Sequence, residues 1–282
     1  MIIGYTTGVF DMFHVGHLNI LRRAKEQCDY LIVGVSTDEL VENEEHKTPV
    51  IPFSDRCRIL EAIKYVDQVV PQFESIAEAW QKLHFQKMYV GFDWQGTNRW
   101  KICENQLSSL GVELVYLNSL DGITPSVINN KVIPQISRNE IIGYTQGVYD
   151  MFHIGHLNLL LNAKSKCDRL IVGVNSDKLV QQYKNKTPLK SDKERSEIVK
   201  ALKCVDDVII CNTLNKSKIW ESIHFNLIFI GNDWKGNDRW KKTEDDLATF
   251  GASVIYLQHT DGISSTSLRL VEKNKVEDFQ FC

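Results

Sequence analysis

A ten-residue stretch occurs twice in this chain, as Gly8-Val9-Phe10-Asp11-Met12-Phe13-His14-Val15-Gly16-His17 and as Gly147-Val148-Tyr149-Asp150-Met151-Phe152-His153-Ile154-Gly155-His156. In each copy an apolar, β-branched run (2–7 and 141–145) leads in and reads as a buried strand. A helical pattern leads out, on Leu18, Ile20, Leu21 and Ala24, and again on Leu157, Leu159, Leu160 and Ala163. The copies stand 139 residues apart at Gly4/Gly143 and 140 apart at Gly91/Gly231, a period far too long for a solenoid. This is a duplicated domain. The pattern assigns 1–131 to the first copy, 132–140 (with Pro134) to a linker and 141–282 to the second.

Within copy one, apolar strands at 2–7, 30–36, 68–70, 87–90 and 112–117 alternate with helical stretches at 16–27, 54–64, 75–83 and 98–110. A polar, acidic loop fills 42–52, Ser54 caps the next helix, and a last helix starts at Thr124. Copy two repeats the series. Such alternation means βαβ units, so the fold class is α/β: two tandem Rossmann-like, doubly wound parallel-sheet domains whose ligands bind beyond the carboxyl ends of the strands.

Composition excludes several function classes. Net charge is −3, which argues against nucleic acid as partner. No run of about 18 apolar residues predicts a membrane span. Seven cysteines without CxxC spacing predict reduced thiols and no zinc site, and with a strand at the very start they point to a cytoplasmic protein.

Two histidines three apart at a helix start project to one side, beside unpaired backbone N–H groups and the positive end of the helix dipole. His14/His17 and His153/His156 are therefore candidate neutral donors to phosphate oxygens. The alternative is a pair of structural histidines.

The repeated stretch resembles the signature of the HxGH nucleotidyltransferase superfamily, in its cytidylyltransferase branch, and is most similar to the glycerol-3-phosphate cytidylyltransferases. Adenylyl-transferring relatives carry proline after the aspartate, where this chain has Met12 and Met151. The resemblance implies transfer of CMP from CTP to a polyol phosphate, glycerol 3-phosphate first, giving CDP-glycerol for a cell-envelope polymer. Choline, ethanolamine or other phosphorylated alcohols stay open as acceptors, as does a non-catalytic nucleotide-binding scaffold. Mg2+ would come with CTP, without a protein metal cage. Single-copy relatives pair beside the HxGH helix, so the two copies are expected to form an internal pseudo-dimer.

By resemblance, the histidines act with Lys47 and Lys186 on the reacting phosphates. Gly8, Val9, Phe10 and Asp11, with Gly147, Val148, Tyr149 and Asp150, meet the nucleotide. The two aspartates orient either the turn or a magnesium–nucleotide. Arg56 and Arg195 match a phosphate-binding arginine, and Asp93 and Asp233 a carboxylate that accepts from nucleotide or polyol. Trp94, Trp100, Trp234 and Trp240 are expected to pack. Thr260, Gly262, Ser264, Ser265 and Thr266 match the motif that holds the terminal phosphates. Lys184, Lys203 and Lys218 are the candidate acceptor ligands.

Copy one departs from this set. Glu45 stands where copy two has Lys184, Pro125 where it has Ser265, and Leu120 where it has Thr260. The segment 74–77 faces the lysine-bearing 215–218. The first domain is expected to be degenerate and the second active.

Overall fold

Strands alternate with helices twice over, as the apolar runs predict. The computed structural model describes residues 1–118, 140–258 and 268. The chain divides into the units Met1–Thr124 and Pro125–Cys282. The expected linker at 132–140 except its last residue, the final helix from Thr124 and the phosphate motif at 259–266 lie outside the described residues.

Unit one holds β1 (Ile3–Gly8), α1 (Val15–Lys25), β2 (Tyr30–Val35), α2 (Asp38–Glu45) and α3 (Phe53–Glu61). It continues with β3 (Gln68–Pro71), α4 (Ile76–Leu83), β4 (Lys87–Gly91), α5 (Asn98–Ser109) and β5 (Glu113–Leu117). Unit two repeats the order with β6 (Ile142–Gly147), α6 (Ile154–Lys164), β7 (Arg169–Asn175), α7 (Asp177–Lys184) and α8 (Asp192–Lys200). It ends with β8 (Asp207–Cys211), α9 (Lys216–Ile223), β9 (Leu227–Gly231), α10 (Asp238–Ala248) and β10 (Ser253–Leu257). All pairings are parallel, in the orders β3-β2-β1-β4-β5 and β10-β9-β6-β7-β8. β1 and β6 are thus central. The turn leaving each of them opens at the point where the strand order reverses, the usual place for a ligand.

Each sheet is held by its own apolar cluster. In unit two Tyr144, Ile171, Phe225, Ile228 and Leu247 are buried, and in unit one Tyr5, Ile32, Phe85, Met88 and Leu107. Full burial of such a side chain contributes about 1.5–3 kcal/mol.

Three sequence expectations change. The polar loop at 42–52 begins inside a helix, α2, capped by the Thr37 side chain on Leu40 N–H, and α7 is capped the same way by Ser176. α3 starts at Phe53 behind Pro52 and takes no side-chain cap, so Ser54 is inside the helix. In copy two Ser191 does cap, in a capping box with Glu194. α1 and α6 begin one residue before their glycine, which makes His14 and His153 the capping residues themselves.

Candidate active site

The turn after each central strand is wound through left-handed backbone without glycine. Phe10 and Met12 have φ of 54° and 47°, and Tyr149 and Met151 of 56° and 49°. Each such residue costs about 1–3 kcal/mol, so something must hold it. Phe10 and Tyr149 are buried, their rings lying against Gly8 and Gly147.

The aspartates and arginines supply the rest of the clamp. Asp11 accepts from Val50 N–H at 2.8 Å and Ile51 N–H at 2.9 Å, stapling the turn to the loop before α3. Asp150 does the same with Leu189 and Lys190, at 3.1 and 3.2 Å. Of the two roles open to these aspartates, their oxygens are engaged in the first, orienting the turn. Arg56 donates to the carbonyls of Val9, Ile51 and Ser36 and to the Asp38 carboxylate. Arg195 donates to those of Val148, Lys190 and Asn175 and to Asp177. Both arginines are 1% exposed. The family resemblance matches them to a phosphate-binding arginine. The structure instead spends their guanidinium donors on backbone carbonyls and one aspartate each, because the turn and the neighbouring strand ends present those carbonyls inward.

That geometry makes the arginine a test of the clamp. Arg195→Met leaves three carbonyls and Asp177 without their donor, a loss on the order of 3–5 kcal/mol. The thermal midpoint falls on the order of 10 °C, read by circular dichroism. A midpoint unchanged within a degree would refute the clamp.

The fixed turn in turn sets the histidines. Nδ1 of His14 accepts from Gly16 N–H at 3.1 Å, and Nδ1 of His153 from Gly155 N–H at 3.1 Å. An accepting Nδ1 puts the proton on Nε2, so each capping histidine presents one donor away from its helix. A Cβ at Gly16 would lie 2.8 Å from Cε1 of His14, which explains the glycine between the histidines. The partner rings stack on them, centroids 3.8 Å apart for His14/His17 and 3.9 Å for His153/His156. Burial, helped by the adjacent His14, pushes His17 down to about 3, so it is neutral at physiological pH. Its Nδ1 is buried with no hydrogen-bond partner among the described residues. A purely structural histidine would not carry that cost.

In unit two the turn opens on a pocket of about 320 Å³ at the carboxyl edge of the sheet. Gly147, Val148, Tyr149, His156, Lys184 and Asp233 line it, all singled out from sequence. Asp233 and Trp234 stand at the β9 side, with Arg239 at the start of α10. Across the turn, on the β7/β8 side, stand Asn175, Tyr183, Lys184 and Lys216. Sequence reasoning misses Gln146, Asn175, Tyr183 and Arg239. Their signal, polar residues at a strand end or a helix end, is legible only once the edge is known.

Lys216 donates to Gln146 Oε1. Burial pushes its ammonium down to about 8; Cys211 opposes the shift and Arg239 adds to it. Gln146 Nε2 in turn donates to Asn175 Oδ1 at 2.6 Å and to Thr213 O at 3.0 Å. Asn175 Nδ2 donates to the Tyr183 hydroxyl at 3.0 Å.

This strand–turn–helix site is matched by a family profile described as cytidylyltransferase-like, over residues 5–133 and again over 144–271. The chain belongs to the cytidylyltransferase-like family. It is a nucleotidyltransferase, built as two tandem copies of that family's domain. The ethanolamine-phosphate cytidylyltransferase of Dictyostelium discoideum is 26% identical over 94% of this chain and 88% of its own length. That of Arabidopsis thaliana is 27% identical over 96% of this chain and 80% of its own. The glycerol-3-phosphate cytidylyltransferase of Staphylococcus aureus is 33% identical over 45% of this chain and 92% of its own length.

The two cytidylyltransferase-like copies differ at the pocket wall. Strand register sets Thr7 opposite Gln146 and Ser36 opposite Asn175. The helix caps Ser75 and Asn215 set Ile76 opposite Lys216, and Glu78 opposite Lys218, one residue off the sequence pairing. In unit one Thr7 and Ser36 hydroxyls both donate to Gln72 Oε1, at 2.6 and 2.7 Å, closing the polar atoms on themselves. Beside them is a pocket of about 210 Å³, lined by Tyr5, Phe73, Ile76 and Trp100. It lacks a lysine among its lining residues.

Other sequence-predicted residues fall variously. Lys47 and Lys186 are exposed, in the loops after α2 and α7. Lys218 is exposed in the first turn of α9 and is not among the pocket-lining residues; Lys216 takes that place, because Asn215 caps the helix and turns it inward. Lys203 is a correction of another kind. It lies between the end of α8 and the start of β8, at the amino edge of a parallel sheet, away from the site at the carboxyl edge. Trp240 is buried in the core as expected but also lines the pocket, and Trp234, 43% exposed, lines it too. The Asp93 side chain and Thr260, Gly262, Ser264, Ser265 and Thr266 lie outside what the structure describes.

Proposed function

We propose that this chain transfers CMP from CTP to the phosphate of a small phosphorylated alcohol and releases pyrophosphate. The observation that carries the reading is the histidine pair fixed at the start of α6, whose second member, His156, lines a pocket together with Lys184, Lys216 and Arg239. Ethanolamine phosphate is the first acceptor to test, since the relatives that match nearly the whole two-copy chain carry that name. Glycerol 3-phosphate, the expectation from the sequence, is the second, favoured by the higher identity of a one-copy relative. CDP-glycerol and a cell-envelope polymer go with that second reading alone.

A phosphate monoester is already ionised at pH 7, so its attack on the α-phosphorus needs no strong base. It needs alignment and charge stabilisation. In this reading Nε2–H of His153 would donate to a phosphate oxygen, with Nδ1 already taken by Gly155 N–H. Lys184 and Lys216 face the acceptor half, and Asp233, Trp234 and Arg239 the nucleotide half. Magnesium bound to the CTP phosphates would neutralise charge there. Asp233, the one carboxylate among the described lining residues, fits a shared ligand and not a cage. The two copies would pair within the chain, in the cytoplasm. X-ray scattering with a dimension set by two independent domains would count against the pairing. No described helix is long and apolar enough to cross a membrane.

The test is pyrophosphate release from CTP with a panel of ethanolamine, choline and glycerol phosphates. Release with none of them sinks the reading. The pH profile gives a sharper check. Lys216 is a cation at pH 7 and loses its charge as pH rises through about 8. The acceptor gains its second negative charge near pH 6. The ratio kcat/KM for the acceptor is therefore expected to be bell-shaped, with its upper limb near 8. Lys216→Arg should remove that limb, and a limb that persists would assign it elsewhere.

A further inference from the structure

Tyr183 closes a chain of hydrogen bonds whose direction is set at its far end. A lysine ammonium has only donors, so Gln146 must turn its oxygen to Lys216 and its amide nitrogen away. The Thr213 carbonyl, 3.0 Å from that nitrogen, fixes the same orientation independently. Asn175 must then receive Gln146 on its oxygen and donate from its nitrogen, and it donates to the Tyr183 oxygen. A phenol that accepts there has one proton left to give. Among the described residues that hydroxyl has no second partner, and the side chain lines the pocket beside Lys184.

We infer that the Tyr183 hydroxyl is a ligand-contacting donor to a phosphate oxygen of the acceptor, held in that sense by the Lys216–Gln146–Asn175 chain. The inference rests on the proposed function for the identity of the ligand. Three features point to phosphate. Lys216 and Lys184 put positive charge on the same side of the pocket, the chain ends in a donor, and the one described carboxylate of the pocket is across the turn after β9. A donor held in place before the ligand arrives loses little on binding. Asn175 and Gln146 are positioning residues in this scheme, because they act through Tyr183. In unit one every member differs: Thr7, Ser36 and Ile76 replace Gln146, Asn175 and Lys216, and Glu44 stands at the place of Tyr183. The device belongs to unit two alone.

The experiment is calorimetry on the full chain in magnesium-free buffer, with and without CTP, titrating ethanolamine phosphate and glycerol 3-phosphate. Tyr183→Phe removes one oxygen from a half-exposed side chain and is expected to weaken the better-bound monoester about tenfold, as for a hydrogen bond to a charged group. The KM for that acceptor should rise by a similar factor while kcat and the KM for CTP stay within about twofold. Asn175→Ser, which copies unit one, should weaken binding in the parent chain and have no effect in the Tyr183→Phe background. A Tyr183→Phe affinity equal to that of the parent overturns the inference, and so does an Asn175→Ser loss of the same size in both backgrounds. A parent chain that binds neither monoester overturns it too. Binding with the expected losses but no pyrophosphate release would sink the functional reading and leave the phosphate contact standing.

Discussion

Alanine at His153 or His156 lowers turnover by about 10²-fold or more, the usual loss on removing one preorganised donor to a transition state. The reason lies in how the ring is held. Nδ1 of His153 is committed to Gly155 N–H, the ring stacks on His156, and Tyr149 and Phe152 lie 5.3 and 5.6 Å from the latter. The ring orientation is thus set by the fold itself. His153→Ala also removes a helix cap, costing about 1 kcal/mol and a few degrees in the thermal midpoint. Pyrophosphate release and melting curves on the same preparations separate the two effects. Near-normal turnover in either variant would show that the histidines are structural.

The histidine pair and the two parallel sheets are legible in the sequence because both rest on local pattern: apolar runs and a helical period. What escapes is anything depending on partners far along the chain. Asp11 and Asp150 find backbone N–H groups 39 and 40 residues away, so their bonds to the loop beyond are not readable beforehand. Arg56 and Arg195 open a helix as a phosphate ligand would, yet the carbonyls they saturate come from three separate segments. α2 and α7 escape notice because each is eight residues long with few apolar positions. Lys203 is excluded by topology alone, since a helix leaving the carboxyl edge of a parallel sheet ends at the amino edge. Lys216 and Lys218 cannot be told apart until the cap at Asn215 fixes the start of α9.

Unit two is expected to carry most of the catalysis, with unit one weak or silent. The double variant His153→Ala/His156→Ala should abolish nearly all pyrophosphate release, and His14→Ala/His17→Ala should leave most of it. Both units keep the turn, its aspartate–arginine clamp and the stacked histidines, so the difference does not lie there. It lies in the wall that would meet the acceptor. Lys216 becomes Ile76, Tyr183 becomes Glu44 and Lys184 becomes Glu45, which by sequence removes two cations and adds two anions. At an effective dielectric of about 20, exchanging a cation for an anion in contact with a phosphate is worth several kcal/mol, far more than a factor of ten in affinity. The substitutions at Gln146 and Asn175 act in the same direction, because Thr7 and Ser36 turn their hydroxyl protons onto Gln72. The sequence adds Pro125, which cannot offer the backbone N–H that Ser265 can. The two double variants, assayed side by side with CTP and each acceptor, decide the matter. Equal losses would defeat the asymmetry, and loss from the unit-one pair alone would reverse it.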